Sequence, residues 1–498
     1  MGLSLYIVTF YNQTAYHMKL KYIFIPVIAA GSVLAISSIV SSCVHDSYRA
    51  KLDDYIAIET EAVFKAHLMK PGLSVYVDFS DGMNAAYSPE LSRQALQRMV
   101  NTFTDTKGKT SFFSLADNKI SPLSLSQTEI YNAILSGANY TKTMAPIEET
   151  LKQIVCKNQA AILISDFEEY NGGIIQQQAY AKDYFKEWLQ KGFNITFYKI
   201  DYKEGAKDKH LYFTIFDSPL NNLSQQVETS LGNLLNQGIE KFAINAPDAS
   251  FEFASSYPSA HQGGNYFDSN GEDLISGVVS DGSEEAFFSY SSEPLYRDNP
   301  APGIAYGAFT QYYPFGVDYT NIPTNISDIN ENPDEKNKFS HLISKIYVNF
   351  TNQQAYDIQG IAVSALDFEP VIAAFADWQA NVDENGNRGK FAPPATTEIK
   401  DLFSVTLQPS GKEKGWNEIL FDFDPKFKGT LPPGMDSEKD LLKADIIISN
   451  ATPRIEAANR FFSWTGNQSL SQSVINVLND PQINPIGHPV VTYYIKVL

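Results

Sequence analysis

The sequence predicts a doubly wound, mostly parallel α/β domain over residues 71–248, followed by a β-rich, sandwich-like region over residues 249–498. Apolar runs such as LSVYVDF (73–79) and AAILIS (160–165) are typical of strands that are buried on both faces of a parallel sheet. Between such runs the spacing of apolar residues is helical, and this alternation indicates an α/β fold. After Ala246, Pro and Gly become frequent and short β-rich runs replace the helical spacing.

Capping and turn residues mark the elements of the first region. Ser88 and Pro89 are typical of an N-cap and a first-turn proline. Ser126 and Glu129 have the spacing of a capping box, and Gly192 is suited to end a helix. The predicted elements, in chain order, are a strand at 73–79, a helix at 88–103, a strand at 109–115, helices at 126–134 and 147–155, a strand at 160–165, a helix at 175–191, strands at 194–200 and 210–216, a helix at 223–237 and a strand at 241–245.

The second region is predicted to contain one or two β-sandwich-like units. Its short apolar runs are separated by turn-rich pieces, which is the spacing expected of sandwich strands. The predicted strands are 345–350, 360–366, 402–407, 418–423, 444–449 and 490–497, with helices at 369–379 and 469–479.

Residues 1–43 have the layout of a secretory signal. Lys19 and Lys21 precede an apolar run over 22–40, and small serines then lead into Cys43. The ending V-S-S-C resembles the lipobox of bacterial lipoproteins. The resemblance implies cleavage before Cys43 and acylation of its thiol and its new amino terminus.

The alternative for this segment is an uncleaved membrane helix, because the apolar run is just long enough to span a bilayer. Pro26 and Gly31 interrupt the run and favour processing. Met18 is the expected start of the chain. Residues 44–70 are predicted to form a tether between Cys43 and the first domain.

Composition excludes several classes of function. The 498 residues have a net charge of −19, and such an acidic chain without basic blocks is not expected to bind nucleic acid. The chain has two cysteines, so a disulfide framework is excluded. With Cys43 assigned to the anchor, Cys156 is expected to pack in the core as a small hydrophobic residue.

Oxygen-bearing side chains lie at the ends of two predicted strands and in one loop. Asp78 and Ser80 follow the first strand, Thr141 lies in the loop before a helix, and Asp166 follows the strand at 160–165. In a doubly wound sheet, ligands bind where the carboxyl ends of the strands open at one edge. Carboxylates and hydroxyls are suitable ligands for a hard cation such as Mg²⁺.

This arrangement resembles the von Willebrand factor type A domain and its metal-ion-dependent adhesion site. That family has D-x-S-x-S after its first strand, a threonine before a helix and an aspartate at the end of a later strand. The resemblance implies that Asp78, Ser80, Thr141 and Asp166 bind Mg²⁺ or Mn²⁺, and that an acidic side chain of a partner completes the metal shell. Gly82 departs from the pattern, because it stands where the second serine should be.

Structural alternatives exist for each part of this site. Asp78 and Ser80 can form an ordinary turn in which side chains cap backbone amides, and Thr143 can serve as a helix N-cap. Glu168 and Glu169 are close in sequence to the site, and a solvated loop is the interpretation favoured for them.

Two other functions are compatible with the sequence, an envelope hydrolase and a glycan-capture lipoprotein. An envelope hydrolase would use Asp78 as a phosphoryl-accepting nucleophile with Mg²⁺ held by Asp166, although Ser80 stands where such enzymes need a second aspartate. A glycan-capture lipoprotein would bind sugars through aromatic residues of the second region, including Trp378, Trp416 and Trp464. Packing of these residues in a core is the favoured interpretation. An ordinary turn is favoured over a calcium loop for 383–389.

Taken together, the sequence predicts a lipid-anchored protein of the bacterial cell envelope, expected in the outer membrane. It is predicted to act as a metal-dependent binding or assembly module rather than as an enzyme. The expected partner is an envelope or extracellular protein, with the membrane contacted through the lipid on Cys43 and a glycan as a further possible ligand.

Overall fold

The computed structural model describes much of the chain after residue 53. The described residues are 54–55, 58–59, 68–105, 110–141, 143–171, 173–218, 223–247, 252–254, 310–315, 343–350, 354–382, 388–409, 415–424, 441–464 and 466–497. The predicted signal with Cys43, most of the tether and residues 383–387 of the predicted turn lie outside the described residues. No helix in the described ranges is long and apolar enough to cross a bilayer.

The first region is an α/β structure built on a seven-stranded sheet. Its strands lie in the order β3–β2–β1–β4–β8–β7–β9, while β5 and β6 form a separate small hairpin. The strand bounds are β1 Lys70–Asp78, β2 Thr110–Ala116, β3 Lys119–Leu123, β4 Gln159–Ser165, β5 Tyr170–Asn171, β6 Ile174–Ile175, β7 Asn194–Glu204, β8 Lys207–Asp217 and β9 Ile239–Ile244.

The sheet is mixed rather than mostly parallel. Strands β2, β1 and β4 are parallel neighbours at its centre, whereas β3, β8, β7 and β9 each pair with their neighbours in the antiparallel direction. The difference arises because β7 and β8 are joined by a tight turn with Gly205 at φ +61°, so no crossover helix separates them. This hairpin inserts β8 directly beside β4.

Both faces of this sheet are buried, as the alternation along β1 shows. Val75 and Val77 belong to one apolar cluster and Tyr76 to the other, which follows from the two-residue period of a strand. Helices α1, α2, α3 and α6 cover the first face, and α4 and α5 cover the second. The helix bounds are α1 Met83–Tyr87, α2 Glu90–Asp105, α3 Gln127–Leu135, α4 Ile147–Lys157, α5 Lys182–Gln190 and α6 Leu223–Leu231.

The second region contains two further sheets, one of four strands in the order β10–β12–β16–β15 and one of five in the order β11–β18–β17–β13–β14. All their pairings are antiparallel except β11 with β18. The bounds are β10 Glu252–Ala254, β11 Thr310–Phe315, β12 Ile343–Asn349, β13 Tyr356–Asp367, β14 Thr397–Ile399, β15 Phe403–Pro409, β16 Trp416–Phe423, β17 Leu441–Pro453 and β18 Pro489–Val497, with helices α7 Glu369–Ala380, α8 Ile455–Phe462 and α9 Ser469–Leu478.

Helix α8 of the second region packs on the second face of the seven-stranded sheet, and α9 contacts the start of α5, where Ser473 Oγ accepts a hydrogen bond from the backbone N–H of Ala181 at 3.2 Å. The Tyr212 hydroxyl on β8 donates a hydrogen bond to the Phe461 carbonyl oxygen at 3.2 Å. The ring of Phe462 lies edge-on to Phe197 of β7, with 4.8 Å between centroids. The described residues after 53 belong to one compact unit, and the predicted division at residue 248 stays a prediction.

Most predicted elements are confirmed, with ends shifted by a few residues, and the capping box of Ser126 and Glu129 is present. The helix predicted at 175–191 begins only at Lys182, because the β5–β6 hairpin precedes it. The prediction that Cys156 packs in the core is wrong. It is exposed, because the buried stripe of α4 contains Leu151, Ile154 and Val155 instead.

Candidate functional site

The candidate site lies where β1 and β4 end. The two strands are parallel neighbours in which Val77 is paired with Ile164, so their carboxyl ends lie at the same edge of the sheet. Asp78 is the last residue of β1, and Asp166 follows directly after β4. The site that the sequence predicts from these two aspartates is therefore brought together by the pairing of the central strands.

Asp78 is buried, with 1% of its surface exposed. Its Oδ1 accepts a hydrogen bond from the backbone N–H of Ser80 at 2.8 Å, and its Oδ2 accepts one from the Ser165 hydroxyl at 2.8 Å. Burial raises the pKa of Asp78 to about 6, although the hydrogen bonds from Ser80 and Ser165 act to lower it. Asp78 is therefore fixed in position, with both carboxylate oxygens engaged.

Asp166 is buried beside it, with 3% of its surface exposed. Its Oδ1 accepts a hydrogen bond from the backbone N–H of Glu168 at 3.0 Å, and its Oδ2 accepts one from the Tyr202 hydroxyl at 3.2 Å. Burial, followed by the charges of Glu168 and Asp78, raises the pKa of Asp166 to about 8. The two aspartates interact electrostatically across the gap between β1 and β4.

The cation in this acidic site is Lys209 of β8. Its Nζ lies 2.9 Å from Glu168 Oε2, 2.8 Å from Glu204 Oε2 and 3.8 Å from Asp166 Oδ2. Lys209 is 4% exposed. Burial opposes its charge, but the carboxylates of Asp166, Glu204 and Glu168 outweigh that effect and raise the pKa of Lys209 above its ordinary value. The ammonium group is therefore held in the charged form.

The other predicted residues have different positions. Ser80 is half-buried, and its backbone and hydroxyl both interact with Asp78. Thr141 is exposed, although its neighbour Tyr140 is buried and stacks on Phe79 with 5.5 Å between ring centroids. The structure therefore brings Asp78, Ser80 and Asp166 together and leaves the Thr141 side chain at the surface.

The residues in this arrangement do not fit a divalent cation. Mg²⁺ needs near-octahedral oxygen ligands at about 2.0–2.1 Å, and here the ammonium of Lys209 lies among the carboxylates. Binding of Mg²⁺ or Mn²⁺ stays a prediction from the resemblance, and the described geometry does not support it.

The loop after β4 is held in an unusual conformation. Phe167 has φ +59°, which is unfavourable for a bulky residue and occurs mainly where surrounding contacts impose it. Its ring is buried, and its carbonyl oxygen accepts hydrogen bonds from the Tyr180 hydroxyl at 3.0 Å and from Asn467 Nδ2 at 3.3 Å. Asn467 precedes α9, so the second region helps to position the loop that carries Asp166 and Glu168.

The prediction of a solvated loop for Glu168 and Glu169 is wrong. Glu168 is buried, and its Oε2 accepts hydrogen bonds from Lys209 and from the Tyr170 hydroxyl, both at 2.9 Å. Glu169 Oε2 accepts hydrogen bonds from the backbone N–H groups of Ile147 at 2.7 Å and Glu148 at 3.0 Å. It thereby caps the N-terminus of α4 from a distant loop.

Sequence reasoning did not find four contributors to the site, which are Ser165, Tyr202, Glu204 and Lys209. Lys209 has a usable signal, since it is two residues before Leu211 and four before Phe213, both of which are buried on one face of β8. The two-residue period of a strand therefore places Lys209 on that same buried face. Which carboxylates it meets depends on how the hairpin pairs with β4, and the sequence does not state this.

The prediction that the tryptophans pack in a core holds for two of the three. Trp416 and Trp464 are buried. The Trp378 ring stacks on Phe375 at 5.4 Å, and the Arg388 guanidinium lies 5.6 Å from its centroid. Trp378 is half-buried rather than packed in a core.

Comparison of the chain with protein-family models, with curated proteins and with solved structures found no match.

Proposed function

We propose that this chain is a lipoprotein of the bacterial cell envelope, anchored through Cys43 and expected in the outer membrane, that acts as a binding or assembly module. The observation that supports the proposal best is the meeting of Asp78, Ser80 and Asp166 at the carboxyl edge of β1 and β4. This edge is where ligands bind in open α/β sheets.

The loop that carries Asp166 and Glu168 is held in place, as expected of a preorganised binding surface. In this loop, at 166–169, the carbonyl oxygen of Phe167 accepts hydrogen bonds from both Tyr180 and Asn467. A surface that is rigid before binding loses less conformational freedom when a partner docks. Because Asn467 belongs to the second region, a partner that contacts this loop binds to a segment that the second region helps to hold in place.

A hydrolase that uses Asp78 is the alternative, and the geometry favours it less. A nucleophilic carboxylate has to reach its substrate, whereas Asp78 is buried and both of its oxygens accept hydrogen bonds. A screen of phosphate esters with the wild type and with Asp78→Asn tests this alternative. Turnover that disappears in Asp78→Asn would replace the binding proposal.

The expected partner is an envelope or extracellular protein. The prediction that it supplies an acidic side chain depends on a bound Mg²⁺ or Mn²⁺, and is part of the proposal only if a metal is found. Glycan capture by the second region stays a separate prediction, tested on an oligosaccharide array with the full chain and with Trp378→Ala.

Affinity capture from native envelopes tests the binding proposal. Asp81 follows Ser80, and Thr141 follows Tyr140, whose ring stacks on Phe79 at the end of β1. Both Asp81 and Thr141 are exposed, so replacing both by Ala should weaken partner binding by tenfold or more, about 1.4 kcal/mol, without unfolding the chain. Asp208→Ala at the exposed tip of the β7–β8 hairpin is the matched control. Equal recovery with both variants would contradict a partner at this edge.

The anchor is tested separately. Cys43→Ser should move the protein from the membrane fraction to the soluble fraction and abolish labelling by a fatty acid, because one acylated residue is the predicted attachment. Unchanged fractionation of Cys43→Ser would contradict the anchor and leave the binding proposal to its own test.

A further inference from the structure

We propose that the ammonium group of Lys209 is the resident cation of the site formed by Asp78, Asp166 and Glu168 at the carboxyl edge of β1 and β4. This site is therefore stable without a divalent metal. The proposal concerns only the cation of the site. It holds or fails independently of which partner, if any, the site binds.

The strand pairing explains how Lys209 reaches the site. The last pair between β4 and β8 joins Ser165 to Tyr212, so the part of β8 that precedes Tyr212 extends beyond the end of β4. There β8 pairs only with β7, and Lys209 lies opposite Tyr202. Lys209 is therefore positioned directly over the loop that follows β4.

The contacts of Lys209 match those of a bound cation. Its Nζ contacts Glu168 from the β4 loop and Glu204 from the end of β7, and it lies 3.8 Å from Asp166. The ammonium has three donors and no acceptor, and breaking a buried ion pair on one side leaves uncompensated charge. The site is therefore built around a positive charge that belongs to the chain itself.

The glycine at position 82 also supports Lys209 as the cation of the site. A Cβ added to Gly82 would lie 3.4 Å from Glu204 Oε1 and 3.9 Å from Lys209 Nζ. The backbone of Gly82 is in the ordinary helical region at φ −62°, so its conformation does not require glycine. A side chain at position 82 would therefore begin in contact with the Lys209 and Glu204 ion pair.

A divalent ion and Lys209 exclude each other in this arrangement. A metal bound to Asp166 would lie within a few ångströms of the ammonium, and the like charges would repel. Removing the ammonium and restoring the hydroxyl should therefore convert the site into one that responds to a divalent ion. Gly82→Ser with Lys209→Ala is the double variant that makes both changes.

The experiment uses the full mature chain, thermal unfolding and a spectroscopic titration with Mn²⁺. For the wild type, millimolar MgCl₂ or MnCl₂ should leave the midpoint the same as in EDTA, within about 1 °C, because a ligand that does not bind does not shift stability. Lys209→Ala should lower the midpoint in EDTA, and the double variant should regain part of the loss when Mn²⁺ is added. Lys203→Ala, an exposed lysine on the same hairpin, should show neither effect.

Each outcome decides the proposal. Uptake of one Mn²⁺ by the wild type that is lost in Asp78→Ala would overturn it, and this measurement does not depend on whether any Lys209 variant folds. Lys209→Ala with wild-type stability and no response to metal would also overturn it. A metal-independent wild type, a destabilised Lys209→Ala and a metal-responsive double variant are the results expected.

Discussion

Asp217, the last residue of β8, is expected to make the stability of the protein depend on pH. It is buried, and its Oδ2 accepts a hydrogen bond from the backbone N–H of Ser224 in the first turn of α6 at 2.8 Å. Among the described residues its other oxygen has no hydrogen-bond partner. Burial raises the pKa of Asp217 from 3.8 to about 7, against the lowering effect of Ser224 and Lys241.

The sign and size of the effect follow from this shift. The native state holds the Asp217 proton more tightly than the unfolded state, so the contribution of Asp217 is fully present below pH 3.8 and is lost as the pH rises through about 7. A shift of about three units corresponds to about 4 kcal/mol as an upper limit, at about 1.4 kcal/mol per unit. Asp217→Asn keeps an oxygen for Ser224 and does not titrate.

Urea unfolding of the wild type and Asp217→Asn at about pH 5 and about pH 8 measures the effect. About two of these units lie between pH 5 and the folded-state pKa of about 7, so we expect the free energy of unfolding of Asp217→Asn to gain up to about 2.7 kcal/mol on that of the wild type between the two conditions. Asp208→Asn, an exposed change of the same kind on the same strand, is the control and should show no such gain. An equal difference between wild type and Asp217→Asn at both pH values would show that the pKa of Asp217 is not raised by folding.

Three further predictions test the fold around the site. Phe462→Ala should lower the free energy of unfolding by about 3–5 kcal/mol because it removes a buried ring between α8 and the sheet. Urea unfolding measures this loss. The control is Ile174→Ala, whose free energy of unfolding should change little because Ile174 is 74% exposed. Glu169→Gln should lose about 1 kcal/mol by the same assay because it removes the charge at the N-terminus of α4, and no loss would contradict the distant cap. Cys156 should react with a maleimide in the native protein, since it is exposed; labelling seen only after unfolding would contradict this.

The central strands and the two aspartates could be predicted from the sequence. The apolar runs of β1 and β4 determine which strands are buried on both faces, and parallel neighbours bring Asp78 and Asp166 to one edge. The capping box at Ser126 could also be predicted, because it depends only on residues that are close in sequence. These features depend on residues that are near each other in sequence or on a general property of parallel sheets.

The cation of the site could not be predicted, because it depends on tertiary pairing. The Lys209 contacts arise only because the β7–β8 hairpin inserts beside β4 in the antiparallel direction. Helix α8 was missed for a related reason. It is short, and Phe461 and Phe462 face a sheet that lies more than two hundred residues earlier in the chain. Such contacts leave little local signal.

The most direct test of the resident cation is a crystal structure of the wild-type protein grown with MnCl₂, with data collected at the manganese absorption edge. We expect Lys209 Nζ in contact with Glu168 and Glu204, and no anomalous peak between Asp78 and Asp166. An anomalous peak at that position, with the Lys209 side chain turned away from Glu168, would contradict it.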